Sequence, residues 1–200
     1  MELGEATEKK STKWQALKEQ GQEFLRVFII AVALILPIRL FLIQPFYVHG
    51  QSMEPSFYDS DYLIIDKITL RLRKIERGEV VVFQYRVSDT SKKSRYLIKR
   101  VIALPGERIR ISDGAITIFT KEHTQGLVLR EDVYHPRSMS GLYDDRELGE
   151  DEYYVLGDNR PVSEDSENFG PISKESIVGR VWVRGFPFQR FGVFDVPAYQ

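Results

Sequence analysis

The chain contains no cysteine and only three histidines among its 200 residues. Without cysteine it has no disulfides, no thiolate metal sites and no cysteine nucleophile, and the redox compartment stays open. The histidines, His49, His123 and His135, are too far apart for the H-E-x-x-H spacing of zinc hydrolases. The acidic run at 157–168 lacks the alternating ligands and the central glycine of an EF-hand loop. We therefore expect no metal and no cofactor, and chemistry that depends on serine, lysine, histidine or carboxylate groups.

An excess of charge of either sign is also missing. The sequence has 28 lysines and arginines against 29 aspartates and glutamates. This balance gives the chain no general affinity for nucleic acid or for strongly acidic partners. We expect no nucleic acid partner, and any other partner must be inferred from particular sites.

One long apolar run, FLRVFIIAVALILPIRLFLI, occupies residues 24–43. A helix of about 20 residues, at ~1.5 Å rise per residue, crosses the hydrocarbon core of a bilayer. Arg26 and Arg39 lie near the ends, where long side chains reach the headgroups, and Pro37 is tolerated in membrane helices. The run predicts a transmembrane anchor. The alternatives are an amphipathic helix of a soluble protein and a cleaved signal peptide, although no small-x-small cleavage site follows.

The charges that flank this run predict its orientation. Four lysines lie between residues 9 and 18, whereas after Arg39 no lysine or arginine occurs until Lys67. Positive charge is retained on the cytoplasmic side of a membrane. We therefore predict a single-pass protein of the cell membrane, with residues 1–23 cytoplasmic and residues 44–200 forming an extracytoplasmic domain.

The predicted fold class of that domain is mainly β. Short runs rich in Val, Ile, Tyr and Phe alternate with turn clusters such as SDG at 112–114, which is typical of a hairpin connection. No convincing helical periodicity longer than a turn or two follows residue 50. Residues 120–150 are polar and irregular and are predicted to form an inserted loop or small subdomain. The predicted strands lie within 61–68, 79–85, 95–104, 108–112, 115–119, 153–157 and 177–183.

Two short segments contain the candidate chemistry. GQSMEPSFY at 50–58 is a polar turn between apolar stretches, and its Gly, Ser and Pro are typical of any turn. In the strand predicted at 96–107, alternation puts Leu97, Lys99 and Val101 on one face. Lys99 is then either solvated on an edge strand or buried among apolar neighbours. Burial would lower its pKa and make a neutral amine available as a general base.

Ser52 and Lys99 are therefore candidates for a nucleophile and its base. A serine hydroxyl is a weak nucleophile unless a nearby group accepts its proton, and lysine has this role in Ser-Lys enzymes. The S-x-x-K pattern of β-lactamases and penicillin-binding proteins does not fit, because Pro55 occupies the position of its lysine.

Five segments of the sequence form a recognisable series. They are GQSMEPSF at 50–57, SDYLIIDK at 60–67, RGEVVVF at 77–83, YLIKRVIALPGE at 96–107 and GDNRPVSEDSENFG at 157–170. In order and spacing they resemble the sequence boxes of bacterial type I signal peptidases. A lone S-M-x-P motif would be weak support for such a resemblance. A serine box, a K-R-V-x-x-L-P-G-E box and a G-D-N-x-x-x-S-x-D-S box after one predicted membrane span form a much more specific combination.

The resemblance implies a role for each matching residue. Ser52 would be the nucleophile, its backbone N–H part of the oxyanion hole, and Lys99 the general base, oriented by a hydrogen bond from Ser163. The supporting residues would be Asp158, Asn159, Asp165 and Arg100. An extended substrate segment would bind along the strands that lead to Ser52 and Lys99, with small side chains, commonly Ala-x-Ala, before the scissile bond. The apolar pockets for these side chains would be lined by Phe46, Val48, Met53, Phe57, Leu97 and Ile98.

Two positions depart from patterns common in that family. Many members have an arginine where this chain has Glu167, and that arginine can pair with the aspartate two residues earlier. A like charge so near Asp165 should weaken the support unless Arg160 or Arg100 supplies a cation. Some members also have a serine at the position of Gly50, and its hydroxyl completes the oxyanion hole.

The resemblance thus implies a membrane-anchored serine endopeptidase that removes signal peptides from exported preproteins, with the lipid bilayer as a second partner. One alternative is a self-cleaving Ser-Lys protease, against which the anchor and the lack of a DNA-binding helix pair argue. Another is a catalytically silent β-domain that binds export partners. The apolar residues of 182–194 either contact lipid headgroups or pack in the core before a frayed tail. The oligomeric state is not predicted.

Overall fold

The computed structural model of the protein describes residues 20–36, 43–86, 94–130 and 143–194. The chain divides into two units, Met1–Leu42 and Ile43–Gln200. In the first unit, residues 20–36 form helix α1. Within the described ranges, no helix is both long enough and apolar enough to cross a membrane. The predicted anchor at 24–43 continues past α1 into residues 37–42, which lie outside the described residues, and it stays a prediction.

Strands far outnumber helices in the second unit, which confirms the mainly β fold class. The α-helices among its described residues are α2, Thr69–Leu72, and α3, Ser166–Phe169. In chain order the strands are β1 Ile43–Tyr47, β2 Tyr62–Asp66, β3 Val80–Arg86, β4 Ser94–Ala103, β5 Arg108–Ser112, β6 Ala115–Phe119, β7 Leu127–Val128, β8 Asp144–Glu147, β9 Glu152–Leu156, β10 Ile172–Ser173, β11 Ile177–Phe186 and β12 Gly192–Val193.

The larger sheet has eight strands in the order β1-β2-β11-β3-β4-β9-β10, with β12 paired to β11. Strand β4 pairs with β3 along residues 94–100, but with β9 only from Arg100 to Ala103. Strand β1 pairs with β2 and is the first strand of the sheet. The rings of Phe46 on β1 and Tyr96 on β4 lie 5.3 Å apart. Three strands separate β1 from β4 in the sheet order, so this short distance shows that the sheet curls. An edge of β1 and an edge of the first half of β4 therefore border the same space.

The first four residues of strand β3 are buried on both faces and lie between two hydrophobic clusters. Val80 and Val82 face a cluster that includes Met53 and Phe57 from the turn after β1. The alternate residues of β3, Val81 and Phe83, face a second cluster formed largely with β9, β10 and β11. Because both faces of this part of the strand are covered, its residues VVVF can all be buried, and the apolar sequence is continuous rather than alternating.

A second, smaller sheet has the order β7-β6-β5-β8. Isoleucines of β5 and β6 pack with Tyr154 and Leu156 to form its core. Residues 120–150, predicted as an insertion, contribute β7 and β8 to this sheet, while residues 131–142 lie outside the described residues. The small sheet begins at Arg108, earlier than the predicted insertion, because β5 and β6 pair with these strands.

Candidate active site

Ser52 lies in the tight turn between β1 and β2. The turn begins at Gly50, which has φ of +88° and donates its N–H to Asp59 Oδ1 at 2.8 Å. Only glycine adopts this left-handed conformation without strain. The glycine is therefore explained by the backbone of the turn, and a serine at this position would be strained.

Groups from distant parts of the chain hold this turn. Asn159 donates its backbone N–H to the carbonyl of Ser52 at 3.0 Å and its side-chain amide to the carbonyl of Gln51 at 2.9 Å. Arg184 of β11 donates to the carbonyl of Ser56 at 2.8 Å. The position of Ser52 is thus fixed by the segment after β9 and by β11.

Lys99 of β4 points at this serine. Its side chain is buried, with 3% of the residue exposed, and Nζ donates to Ser52 Oγ at 2.7 Å. Burial lowers the pKa of Lys99 to about 8, although the charges of Asp165, Glu164 and Asp158 act to raise it. Of the two alternatives for Lys99, the structure has the buried one. A substantial fraction of the amine is then neutral near pH 8 and able to accept the serine proton.

Ser163 lies beside the Ser52–Lys99 pair, where its hydroxyl approaches the backbone of Gly157. A Cβ at position 157 would lie 2.2 Å from Ser163 Oγ and 2.5 Å from the carbonyl oxygen of Ser52, so only glycine fits. The Ser163 hydroxyl is buried without a hydrogen-bond partner among the described residues. The hydrogen bond to Lys99 that the resemblance implies is therefore not formed in this structure, although the hydroxyl lies next to the pair.

Arg100 and Asp158 form a buried, two-pronged ion pair beneath the turn. Arg100 Nε donates to Asp158 Oδ1 at 2.8 Å and Nη2 donates to Oδ2 at 2.7 Å. The guanidinium also donates to the carbonyl of Gly78 at 2.8 Å and to Ser56 Oγ at 3.2 Å. Arg100 therefore links β4 to the serine turn, and its charge is neutralised by Asp158 rather than by Asp165.

Asp165 organises the segment that contains Ser163. Its carboxylate accepts the backbone N–H of Gly157 at 3.1 Å and that of Glu167 at 3.4 Å. Together with Asn168 it forms a capping box at the start of α3. Burial raises the pKa of Asp165, and these N–H groups lower it; the Ser163 hydroxyl also lowers it, without meeting the geometry of a hydrogen bond.

Glu167 is one of the two positions at which the sequence departs from the pattern of the family that it resembles. Burial raises the pKa of Glu167 to about 7, the charge of Asp165 adds to this rise, and Arg160 opposes it. Arg160 is itself buried and donates Nε to the carbonyl of Gly157 at 2.8 Å. Of the two arginines considered from the sequence, Arg160 is thus the cation that acts on Glu167, because Arg100 is paired with Asp158.

Glu167→Gln is expected to make the protein more stable than wild type at pH 8, by about 1 kcal/mol since partial solvation screens the charge. The folded carboxyl has its pKa near 7, above the unperturbed value of about 4.3. Between these pH values the folded state binds more protons than the unfolded state, so the free energy of unfolding falls as pH rises. Urea denaturation at pH 5 and pH 8 checks this. An effect of the same size at both pH values would contradict it.

A groove of about 640 Å³ runs from Ser52 and Lys99 between β1 and β4. Four of the six predicted substrate-contact residues, Phe46, Val48, Leu97 and Ile98, line it. Met53 and Phe57 do not, because both are fully buried, with 0% exposure, in the core below the turn. The turn folds its large apolar side chains inward, so these two residues support the groove from beneath.

The groove also has lining residues that were not predicted to contact substrate. His49, Tyr96 and Arg95 all contribute to its walls. Tyr96 begins the segment at 96–107, and His49 and Arg95 lie next to motif segments, but only the curl of the sheet brings β1 and the start of β4 together. The one available signal was that strand alternation continues from Lys99 back to Arg95 on the same face.

Comparison with known proteins gives the family of the chain. A family model described as signal peptidase, peptidase S26, matches residues 21–186. A probable signal peptidase I-2 from Synechocystis sp. is 36% identical over 174 residues, which cover 86% of this chain and 76% of that protein. Signal peptidase I of Bacillus licheniformis is 32% identical over 193 residues, which cover 94% of this chain and 100% of that protein.

A crystal structure of a signal peptidase I from Enterococcus faecalis aligns with 54% of this chain and 97% of that chain, at 26% identity and a TM-score of 0.39. The family match and the two curated relatives are sufficient without it. The chain belongs to the signal peptidase family, peptidase S26. The prediction of a serine endopeptidase of the signal peptidase I class is confirmed.

Proposed function

We propose that the chain removes signal peptides from exported preproteins, with Ser52 as the nucleophile and Lys99 as the general base. The observation that carries this is the 2.7 Å hydrogen bond between Lys99 Nζ and Ser52 Oγ, made by a lysine that is 3% exposed. At physiological pH, a buried amine with a pKa near 8 is neutral in a far larger fraction of molecules than a solvated lysine, and only the neutral form can accept the serine proton.

The mechanism follows from this geometry. Neutral Lys99 takes the proton of Ser52 Oγ as the oxygen attacks the scissile carbonyl, and the developing oxyanion is stabilised by the backbone N–H of Ser52. Lys99 then donates that proton to the departing amine, which leaves an acyl-enzyme on Ser52. A water molecule, deprotonated by Lys99, attacks the ester. Lys99 returns the proton to Ser52 Oγ as the ester bond breaks, and the signal peptide leaves with a free carboxylate.

The proposed substrate geometry is an extended chain between β1 and β4. Both strands border the groove with an edge that makes no ladder pairing there among the described residues. An extended peptide can add to such edges through main-chain hydrogen bonds, while its alternate side chains enter pockets. The part of the groove that is lined by Phe46, Val48, Leu97 and Ile98 is apolar. We propose that it takes the small residues of an Ala-x-Ala type site.

The same proposal includes a membrane anchor at 24–43, with the N-terminus cytoplasmic and the catalytic domain on the other side. Helix α1 supports it because its apolar side chains are exposed: Phe24 is 74%, Val27 65% and Leu34 61% exposed. A helix that is apolar on all sides requires a surrounding apolar phase, which a bilayer supplies. A tethered protease would also meet a substrate that is confined to the same membrane.

Exposed aromatic residues near the end of the domain support a lipid contact. Trp182 is 43%, Phe186 51%, Phe188 77% and Phe191 62% exposed. Of the two alternatives for this segment, core packing does not apply to these four side chains. Aromatic side chains favour the interface between lipid and water, and we propose that they contact the headgroup region.

Membranes that contain the full-length protein, incubated with a precursor bearing an Ala-x-Ala site, test the function. Wild type should release the mature protein, Ser52→Ala should not, and a precursor with Phe in place of the last Ala should be cut much more slowly. Alkaline carbonate extraction of the same membranes should leave the protein in the pellet. Absence of cleavage by wild type would favour the silent binding domain instead.

A further inference from the structure

The groove beside Ser52 and Lys99 is lined by basic side chains, and no acidic residue of its described lining balances them. Its basic lining residues are His49, Arg95 and Lys99, and among the described residues that line it there is no aspartate or glutamate. Since Lys99 is buried at one end, Arg95 is the cation that an incoming substrate meets. Its role is not explained by the Ser-Lys chemistry.

Arg95 is held in place at the rim of the groove but is not buried. Its Nη2 donates to Glu164 Oε2 at 2.5 Å, and the two side chains are 45% and 55% exposed. The guanidinium also lies over the ring of Tyr85, with 5.4 Å between its carbon and the ring centroid. A guanidinium has five N–H donors in a planar fork that suits a carboxylate. With Glu164 on one side, an oriented guanidinium remains accessible from the groove.

The position of Arg95 relates it to one part of the substrate. Arg95, Leu97 and Lys99 share a face of β4, and Lys99 follows Arg95 by four positions, about 13 Å at ~3.3 Å per residue. Leu97 and Ile98, which line the proposed pockets for residues before the scissile bond, lie between them. A substrate residue opposite Arg95 is thus the fourth or fifth before that bond.

The charges of Arg95 and Glu164 also reach the reactive pair. The charge of Arg95 lowers the pKa of Lys99, whereas that of Glu164 raises it. Both groups therefore lie within electrostatic range of the amine and of any substrate bound over it.

We propose that Arg95 determines specificity by binding a carboxylate side chain of the substrate, at the fourth or fifth residue before the scissile bond, in exchange for Glu164. The proposal rests on the proposed function, since it takes the direction of the substrate from it. Exposed ion pairs are weak, so the preference for an acidic over a neutral residue is expected to be about two- to fivefold.

Two precursors that differ only in Glu or Lys at the fourth residue before the cleavage site measure this preference. Wild type should give a kcat/KM ratio of about five in favour of Glu, because attraction and repulsion both contribute. Arg95→Glu should reverse the ratio, and Arg95→Gln should bring it to one or below, because Glu164 then keeps its negative charge without its partner. The same Glu and Lys exchange four residues after the bond should have little effect, and high salt should reduce the ratio.

Arg108→Glu is the matched control. Arg108 has a side chain that is 46% exposed and pairs with Asp145 at 2.6 Å, but it lies on β5 of the smaller sheet. Its substitution changes the net charge by the same amount and should leave the ratio at its wild-type value. Equal cleavage of both precursors by wild type, or an equal response to Arg95→Glu and Arg108→Glu, would overturn the role of Arg95 and leave the proposed function intact. Failure to cleave either precursor would overturn both.

Discussion

Lys99→Met is expected to lower kcat for precursor cleavage by about 10²- to 10⁴-fold, the range that a positioned general base contributes. Methionine is close to lysine in length and shape but has no group that accepts the serine proton. Lys99→Arg should be as inactive, because a guanidinium keeps its proton at any pH of the assay. Lys174→Met, the same change at an exposed lysine, should retain full activity. More than a tenth of wild-type activity in Lys99→Met would refute its role as the base.

The folded state should tolerate the loss of this lysine well, which separates catalysis from folding. The pKa of Lys99 falls from 10.5 to about 8 on folding. Between those values the unfolded state binds more protons, so the free energy of unfolding of wild type rises with pH there. At neutral pH Lys99→Met should therefore be more stable than wild type, by about 1–3 kcal/mol, and the difference should shrink above pH 8. In parallel, wild-type kcat/KM should rise with pH through a pKa near 8.

Asp158→Ala is expected to lower the free energy of unfolding by about 3–5 kcal/mol, because it leaves a buried guanidinium without its counter-ion. The two side chains are only 7% and 0% exposed, so water cannot replace the lost carboxylate. Arg100 would keep its bonds to the carbonyl of Gly78 and to Ser56 Oγ, and urea denaturation measures what remains.

Two controls sharpen this second experiment. The double variant Asp158→Ala/Arg100→Met removes both charges and should recover part of the lost stability, as replaced buried ion pairs do. Asp145→Ala removes a carboxylate that pairs with two exposed arginines of the smaller sheet and should cost much less. Equal losses for Asp158→Ala and Asp145→Ala would show that the buried pair contributes nothing special.

Much of the candidate site could be predicted because its residues lie in short motifs. Ser52 and Lys99 were selected by their chemistry and the residues at 157–170 by the resemblance to a known family, and the structure brings them together. The burial of Lys99 could not be predicted, because strand alternation assigns its side chain to one face but does not show which residues cover that face. The covering residues include the segment after β9, which is more than fifty residues away in sequence. For the same reason, the partner of Arg100 could not be chosen among the nearby aspartates.

The errors and omissions have equally local causes. Met53 and Phe57 were predicted to contact substrate from the resemblance, but in the structure both pack into the core against Val80 and Val82 of β3. Strand β8 was missed because its four residues, DDRE, are all charged and form a strand only through pairing with β5. Arg95 was missed because its importance depends on a groove that the curl of the sheet creates.

The hydrogen bonds from Asn159 to the serine turn have a consequence for the period in which the protein is being synthesised. Asn159, which holds the carbonyl of Gln51, follows it by 108 residues, and contacts so distant in sequence form late in folding. During synthesis the ribosome completes the serine turn and β4 long before Asn159 and Asp165 exist. On the proposed mechanism, the growing chain is therefore inactive as a protease. It can hydrolyse a substrate only after most of the polypeptide has been made.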